Sequence, residues 1–550
     1  MTQKFKMIAL GLFLATVVSS CSDNEPNSED GTTSREQKGV ATQLGRKLEN
    51  PYSVKNMKKA LENLKKSKLG AKMATEDLEI VATHLYIKFT PKTEQELDNL
   101  TVDSTLVLYD YPLDHEIQLT GDYYRDPETP ADQPTPQYCA VEVTDDVVTD
   151  NTVVYNPDGS VAESRTVKTT ILEELFIPDV YYVPTSRIGN SEKPEATMQK
   201  INGKMVSVAL IDALVEEALR ITNNLGTSST ANITGKTMNN SWRPAGRIRV
   251  WDDFMQTFVG VEGAQVRARR WFTTHRGWVN ADGFYSCDGT FKRDANYSID
   301  WDRHDFAIQD HWLNGATFNG PKREGNWDLN LRDDKQAYYA TIFRAAHHYY
   351  YKDIKGLRRP PQNSLGKPKM KIKAIYESNN EINGSHKEER RFLGAQLKIY
   401  NPQNSSIQIY ATTMHELAHA SHWDLSRGDF DDSEKIVKES WARGVEWELT
   451  RMVYNQYIPD YNRLRYTGVV QDMIDGNKTT TSAFYFTDSN PWIVSIKRYS
   501  DQVNGYSIRQ IEDALQGKKS WNNWKDNIKN KFNNDTKNNL DATFNFWITL

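Results

Sequence analysis

The sequence predicts a multidomain α+β chain: an N-terminal α+β domain, a small β-sandwich and a C-terminal, mostly helical domain. Three observations lead there. At 550 residues the chain is longer than one core organises. Short alternating strands crowd residues 246–330, and helical periodicity dominates residues 331–550. An apolar share of 38% is enough to fill such cores. The net charge of −5, with both signs mixed along the chain, argues against nucleic acid as a partner.

Residues 1–20 read as an export signal. Lys4 and Lys6 form a basic start, and MIALGLFLATVV is an apolar run too short to span a bilayer permanently. Val18-Ser19-Ser20-Cys21 resembles a bacterial lipobox, which implies acylation of Cys21 and a membrane anchor that does not span. Ser22 stands where the inner-membrane retention signal has Asp, and SDNEP resembles the surface-export signal of some Gram-negative lipoproteins. The expected location is therefore the outer membrane, facing outward. Cys139 and Cys287 then remain, too few for a disulfide framework and expected as buried apolar thiols.

Residues 21–77 read as a polar tether followed by a helix, VKNMKKALENLKKS, with Met57, Leu61 and Leu64 on one side. Residues 78–190 read as an α+β domain. THLYIKFT alternates Leu85, Ile87 and Phe89 inward, Thr93 and Glu96 form a capping box, and STLVLYDYP returns as a strand. Residues 191–245 hold an amphipathic helix, IDALVEEALRITNNL, and a polar linker. In 246–330, strands around an NADG turn point to a small sandwich. The order GRIRVWD, GVEGAQVRAR, DGFYSC and YSI resembles the carboxypeptidase-regulatory-like domain. That implies either a spacer or a polymer-binding surface built on Trp251, Trp271 and Trp278.

The chemistry concentrates in SSIQIYATTMHELAHASHWDLSRGD. Ser405 or Ser406 caps a helix uninterrupted by Pro or Gly until Gly428. His415 and His419, four apart, present both imidazoles to one point, and Glu416 stands beside the first as a general base. A second helix, EKIVKESWARGVEWELTRMVYNQY, carries Glu439 twenty residues after His419 and Glu446 one heptad further. A catalytic zinc takes three protein ligands and keeps one position open. A carboxylate on this next helix, Glu439, is the candidate third ligand. Glu446 and His422 are its alternatives, or residues that orient the histidines, although the helical rise carries His422 about 4.5 Å past His419. His347 and His348, adjacent on an earlier helix, face different directions and cannot chelate together.

HExxH followed by Glu439 resembles the gluzincin (thermolysin-like) metallopeptidases, although Arg443 stands where that pattern has an Asp. The resemblance implies a zincin-like C-terminal domain with one Zn2+ per chain on His415, His419 and Glu439, and Glu416 as the catalytic base. It further implies a peptide or protein substrate, a transition-state-stabilising tyrosine among Tyr454, Tyr457, Tyr466 and Tyr485, and a cleft edged by the strand GAQLKIYN. Endopeptidase is the expected activity. An aminopeptidase, or a catalytically silent surface lipoprotein that binds a polymer or protein, are the alternatives.

Overall fold

The structure, a computed structural model, describes residues 40–549 apart from 68–77, 103–104, 144–151, 156–160, 166, 179–197, 202–203, 226–240, 310–314, 364–368, 380–381, 388–395, 462–464, 476–480, 488–489 and 500. The expected signal segment, Cys21 and nearly all of the linker before 245 lie outside the described residues. The chain is a mixed α/β molecule with ten α-helices and several separate sheets among the described residues. None of those helices is long and apolar enough to cross a membrane.

The first part runs β1 (Gln43–Lys47), α1 (Val54–Lys65), β2 (His84–Thr90), α2 (Glu94–Val102), β3 (His115–Leu119) and β4 (Gln137–Glu142). It continues through a hairpin, β5 (Thr152–Tyr155) and β6 (Val161–Arg165), then β7 (Lys168–Leu175), a second hairpin of β8 (Met198–Ile201) and β9 (Lys204–Ser207), and α3 (Val208–Ile221). The end of the expected tether is therefore ordered chain, because β1 pairs antiparallel with β3. Met57, Leu61 and Leu64 of α1 pack with Leu210, Ile211 and Leu214 of α3. β2 lies between β4 and β7, so both its edges are paired. Leu85, Ile87 and Phe89 share one face, as expected, with Leu85 partly buried, and Tyr86 on the other face enters the core under α1 and α3. Of the strand expected at 104–112, the described residues 105–112 form none; Tyr109 contributes one isolated bridge, to Tyr138. Both remaining cysteines are buried, as expected.

The middle part forms two sheets. In one, β10 (Ala245–Asp252) pairs with β11 (Thr257–Gly260) and β14 (Phe284–Ser286), and in parallel with β18 (Leu329–Leu331). In the other, β12 (Gln265–Arg270) and β15 (Ala295–Asp300) lie between β13 (Thr273–Trp278) and β17 (Thr317–Arg323). β16 (Phe306–Gln309) leaves for a third sheet. The three tryptophans divide: Trp278 is exposed, Trp251 is partly so, and Trp271 joins the N-terminal core.

The last part carries α4 (Lys335–Tyr351), β19 (Met370–Ala374), β20 (Gly384–Lys387), β21 (Gln396–Ile399), α5 (Ser406–Leu425), α6 (Lys435–Thr450) and α7 (Val469–Ile474). The hairpin β22 (Thr481–Thr487) and β23 (Asn490–Tyr499) follows, then α8 (Ile508–Leu515), α9 (Trp521–Lys531) and α10 (Leu540–Thr549). That hairpin lies within a closing lobe that is otherwise mostly helical. β16, β19 and β21 run parallel, and β20 joins antiparallel as the outermost strand.

One apolar core runs from Ile248 and Val250 of β10 through α4, the parallel strands, α5 and α6 to Trp547 of α10. The middle sheets therefore share a core with the last part. The joint is the turn after β10. Asp252, fully buried, accepts from Arg344 of α4 at 3.2 Å and from the Tyr454 hydroxyl at 2.6 Å, and also from the backbone N–H groups of Phe254 and Met255. Asp252→Ala leaves the Arg344 guanidinium buried without its carboxylate. It should cost about 3–5 kcal/mol, read as a fall in urea midpoint.

His347 and His348 are both buried on α4. His347 stacks on Phe343, and the Nδ1 of His348 lies 2.7 Å from the Tyr410 hydroxyl. Burial, reinforced by Arg303 for His347 and by Lys352 for His348, lowers each to about 4. The unfolded chain takes up protons below about pH 6.5 that the folded chain refuses until about 4, so stability is lost as pH falls through that window. At pH 5 the loss should be about 2 kcal/mol per imidazole. Denaturation at pH 7.5 and 5 checks it, and His348→Gln should shrink the difference.

Candidate functional site

α5 begins at Ser405, whose side chain makes no capping bond. Asp253, from the turn after β10, does that work: its carboxylate accepts the Ser406 N–H at 2.6 Å, and its own N–H donates to the Ser406 hydroxyl at 3.3 Å. The far end turns at Ser426. There the Ser426 carbonyl accepts from Asp429 and Phe430, and the chain returns as α6. Segments near α9 secure this turn: Lys519 pairs with Asp429 and Asp432, and the Trp521 N–H donates to Glu434 at 2.8 Å.

The packed pair of helices brings His415, His419 and Glu439 together. His415 Nε2, His419 Nε2 and Glu439 Oε2 are mutually 3.2 Å apart. All three residues are buried, 2–5% exposed. Among the described residues this is the group of three that can hold a metal ion. Glu446 does not join the triangle. It takes the other face of the first histidine, 2.9 Å from His415 Nδ1, and is itself held by Arg443 at 2.7 and 2.9 Å and by the Tyr457 hydroxyl. Arg443, the departure from the thermolysin-like pattern, is thus the counterion of the carboxylate that orients His415. His422 lies outside the cluster, edge-on to Phe430 at 4.9 Å, and neither ring nitrogen has a hydrogen-bond partner among the described residues.

Electrostatics follow the geometry. Burial opposes charge on His415, but its bonds to Glu439 and Glu446 prevail and raise it to about 9. Burial likewise opposes ionisation of Glu439, and the two histidines overcome it, holding the carboxyl far below the usual range. Burial again works against Glu446, and Arg443, His415 and Tyr457 lower it. His422 has no such help, so burial, with His419 and Lys438, lowers it to about 3 and keeps it neutral.

Glu416 is 1% exposed. Its neighbour is a residue the sequence reading missed, Gly384 of β20, where an added Cβ would stand 2.7 Å from Glu416 Oε1 and 2.8 Å from its Cγ. The strand beside the site is therefore β20. GAQLKIYN, expected at the edge, forms β21 inside the sheet, because β20 covers its outer side. Phe430 walls the opposite end, 6.3 Å from the rings of both His419 and His386. Of the tyrosines named from sequence, Tyr466 lies against His415 with ring centres 5.9 Å apart. Tyr457 is spent on Glu446 and Tyr454 on Asp252. The side chain of Tyr485 is outside the described set.

No family model, no curated protein and no solved structure matches the chain.

Glu446→Ala leaves Arg443 buried without its counterion and strips His415 of an orienting partner. It should cost about 3–5 kcal/mol in chemical denaturation, whereas His422→Leu, which removes two unpartnered nitrogens, should be neutral or stabilising.

Proposed function

We propose that this chain is a zinc-dependent peptidase, an endopeptidase anchored through Cys21 to the outer membrane and facing outward. One observation carries the reading: two imidazole nitrogens and a carboxylate oxygen, pairwise 3.2 Å apart and buried, with Glu416 next in chain to the first histidine. The donor set fits the ion. Tetrahedral zinc with nitrogen and oxygen donors at about 2.0–2.2 Å has neighbouring donors about 3.3–3.6 Å apart, close to this triangle. The zincin-like lobe and the carboxypeptidase-regulatory-like sandwich belong to this proposal.

His415, His419 and Glu439 would hold the ion, and Glu446 fixes the tautomer of His415 by its bond at Nδ1. When bound, zinc polarises a carbonyl and eases the ionisation of water. Glu416 takes the proton from attacking water on its carboxylate and passes it to the leaving amine. β20, outermost in its sheet among the described residues, is where an extended polypeptide adds by backbone hydrogen bonds, with Gly384 letting the strand approach Glu416. We assign Tyr466 to the carbonyl oxygen as its charge develops.

Purified protein should hold one zinc per chain, and His415→Ala should lose it. Glu416→Gln should keep the zinc yet cut a proteome-derived peptide library about 10²–10⁴-fold more slowly. Cleavage that survives either chelator or Glu416→Gln would sink the mechanism.

A further inference from the structure

A cavity of about 730 Å³ opens among the turn after β10, the N-termini of α4 and α5 and the segment after β19. Asp253, Asp333, Asp334 and Glu377 line it, and no Lys, Arg or His does. Two of the four are fixed in place by capping duty. Asp253 accepts from Ser406 and Asp334 accepts from Ala337, both at 2.6 Å. The other two, Asp333 and Glu377, are exposed side chains at the mouth. Asp333 has a partner in Arg332 at 3.2 Å, a surface pair that an incoming cation can displace. The negative field is felt by its neighbours: burial raises the Asp334 carboxyl and the Tyr376 phenol, and the surrounding aspartates raise both further.

A second observation is independent of these acids. Tyr338 also lines the cavity, is only 3% exposed, and its hydroxyl has no hydrogen-bond partner among the described residues. A buried hydroxyl left so is costly, and a ligand N–H supplies what it lacks. The walls add Trp251 and Tyr376. The guanidinium of Arg332 already stands 4.3 Å from the ring centre of Trp251, an internal instance of the contact such rings make with cations.

We propose that this cavity binds a basic side chain, lysine or arginine, of an extended polypeptide, with Glu377 and Asp333 facing its charge and the Tyr338 oxygen accepting one of its N–H groups. Ser406 on the cavity wall and His415 are nine residues apart on α5, about 13–14 Å along the axis. That is about four residues of extended chain. The distance suits a side chain several positions from a bond being cut and is too long for a clamp on the amine of a terminal residue. Only the role of the bound polypeptide as substrate rests on the peptidase reading; the binding does not.

The test uses the full chain carrying Glu416→Gln with chelator present, so that neither hydrolysis nor metal contributes. An acetylated, amidated hexapeptide of alanines with one arginine is titrated calorimetrically beside its citrulline twin, which keeps the shape and loses the charge. The arginine peptide should bind at least tenfold tighter than the twin, and more weakly as salt rises. Glu377→Gln with Asp333→Asn, both exposed positions, should erase that preference, and Tyr338→Phe should reduce affinity about threefold or more. Equal binding of the two peptides, no binding of the arginine peptide up to millimolar concentration, or binding untouched by the paired substitution would each overturn the site. In the zinc-loaded wild type, cleavage of a peptide library should enrich Lys or Arg about three to five positions from the cut, and cleavage without that enrichment would refute the substrate role. Arginine-selective binding by a protein that cuts nothing would keep the site and discard the peptidase reading instead.

Discussion

Everything near the site answers to one constraint: α5 is buried along nearly its whole length and yet carries His415, Glu416, His419 and His422. Ionisable groups persist in such a place only when matched. α6 supplies the match, because Glu439 and Glu446 reach the two nitrogens of one imidazole. Arg443 and Tyr457 then satisfy Glu446, so the array is closed by hydrogen bonds on the side away from the triangle. His422 shows the other solution, since a lone imidazole facing Phe430 simply stays neutral.

Matching requires the helices to be held in register, and that burden falls on distant parts of the chain. Asp252 and Asp253 are adjacent, but their side chains go to different elements. The first ties α4 to the segment after α6, and the second caps α5. The region that the sequence offered as a spacer is therefore what fixes the start of the histidine-bearing helix. Tyr410 extends the same joint inward, stacking edge-on to Tyr454 at 5.3 Å and meeting His348 with its hydroxyl. A shift of the β10 turn would be felt at Arg344 in the middle of α4 and at the first turn of α5.

What could be read from sequence was local. Two histidines four apart on one helix are set to one side by helical geometry alone, and with Glu439 from the next helix these side chains do meet. The choice between Glu439 and Glu446 was not local: the two share a face of α6, and only the way α6 crosses α5 decides which reaches Nε2 and which reaches Nδ1. Strand order was hidden for a similar reason. β20 is four residues, GSHK, with no apolar side chain to announce it, so β21, which carries Leu397 and Ile399, was mistaken for the edge. The capping of α5 was beyond reach, because Asp253 and Ser406 are separated by 153 positions. Around Tyr109 the chain meets the open edge of β4 at a single bridge, to Tyr138, and does not continue as a strand.

The charges at the triangle bear on what completes it. Glu439 lies against both histidines, and Glu446 is the carboxylate that Arg443 answers. A proton on His415 offsets the charge on Glu439, and that is the direction in which this imidazole is driven. The proposed zinc would answer the same charge, where two ring nitrogens and an oxygen already stand 3.2 Å apart. The same helix meets acid again at its first turn, where four carboxylates gather around a cavity with no basic residue in its walls. There the imbalance is open to solvent, so a mobile cationic group can answer it. At the histidines the carboxylates are buried, and there the proposed ion would answer them. Burial, which differs between the two ends of α5, is thus what separates the two proposed sites.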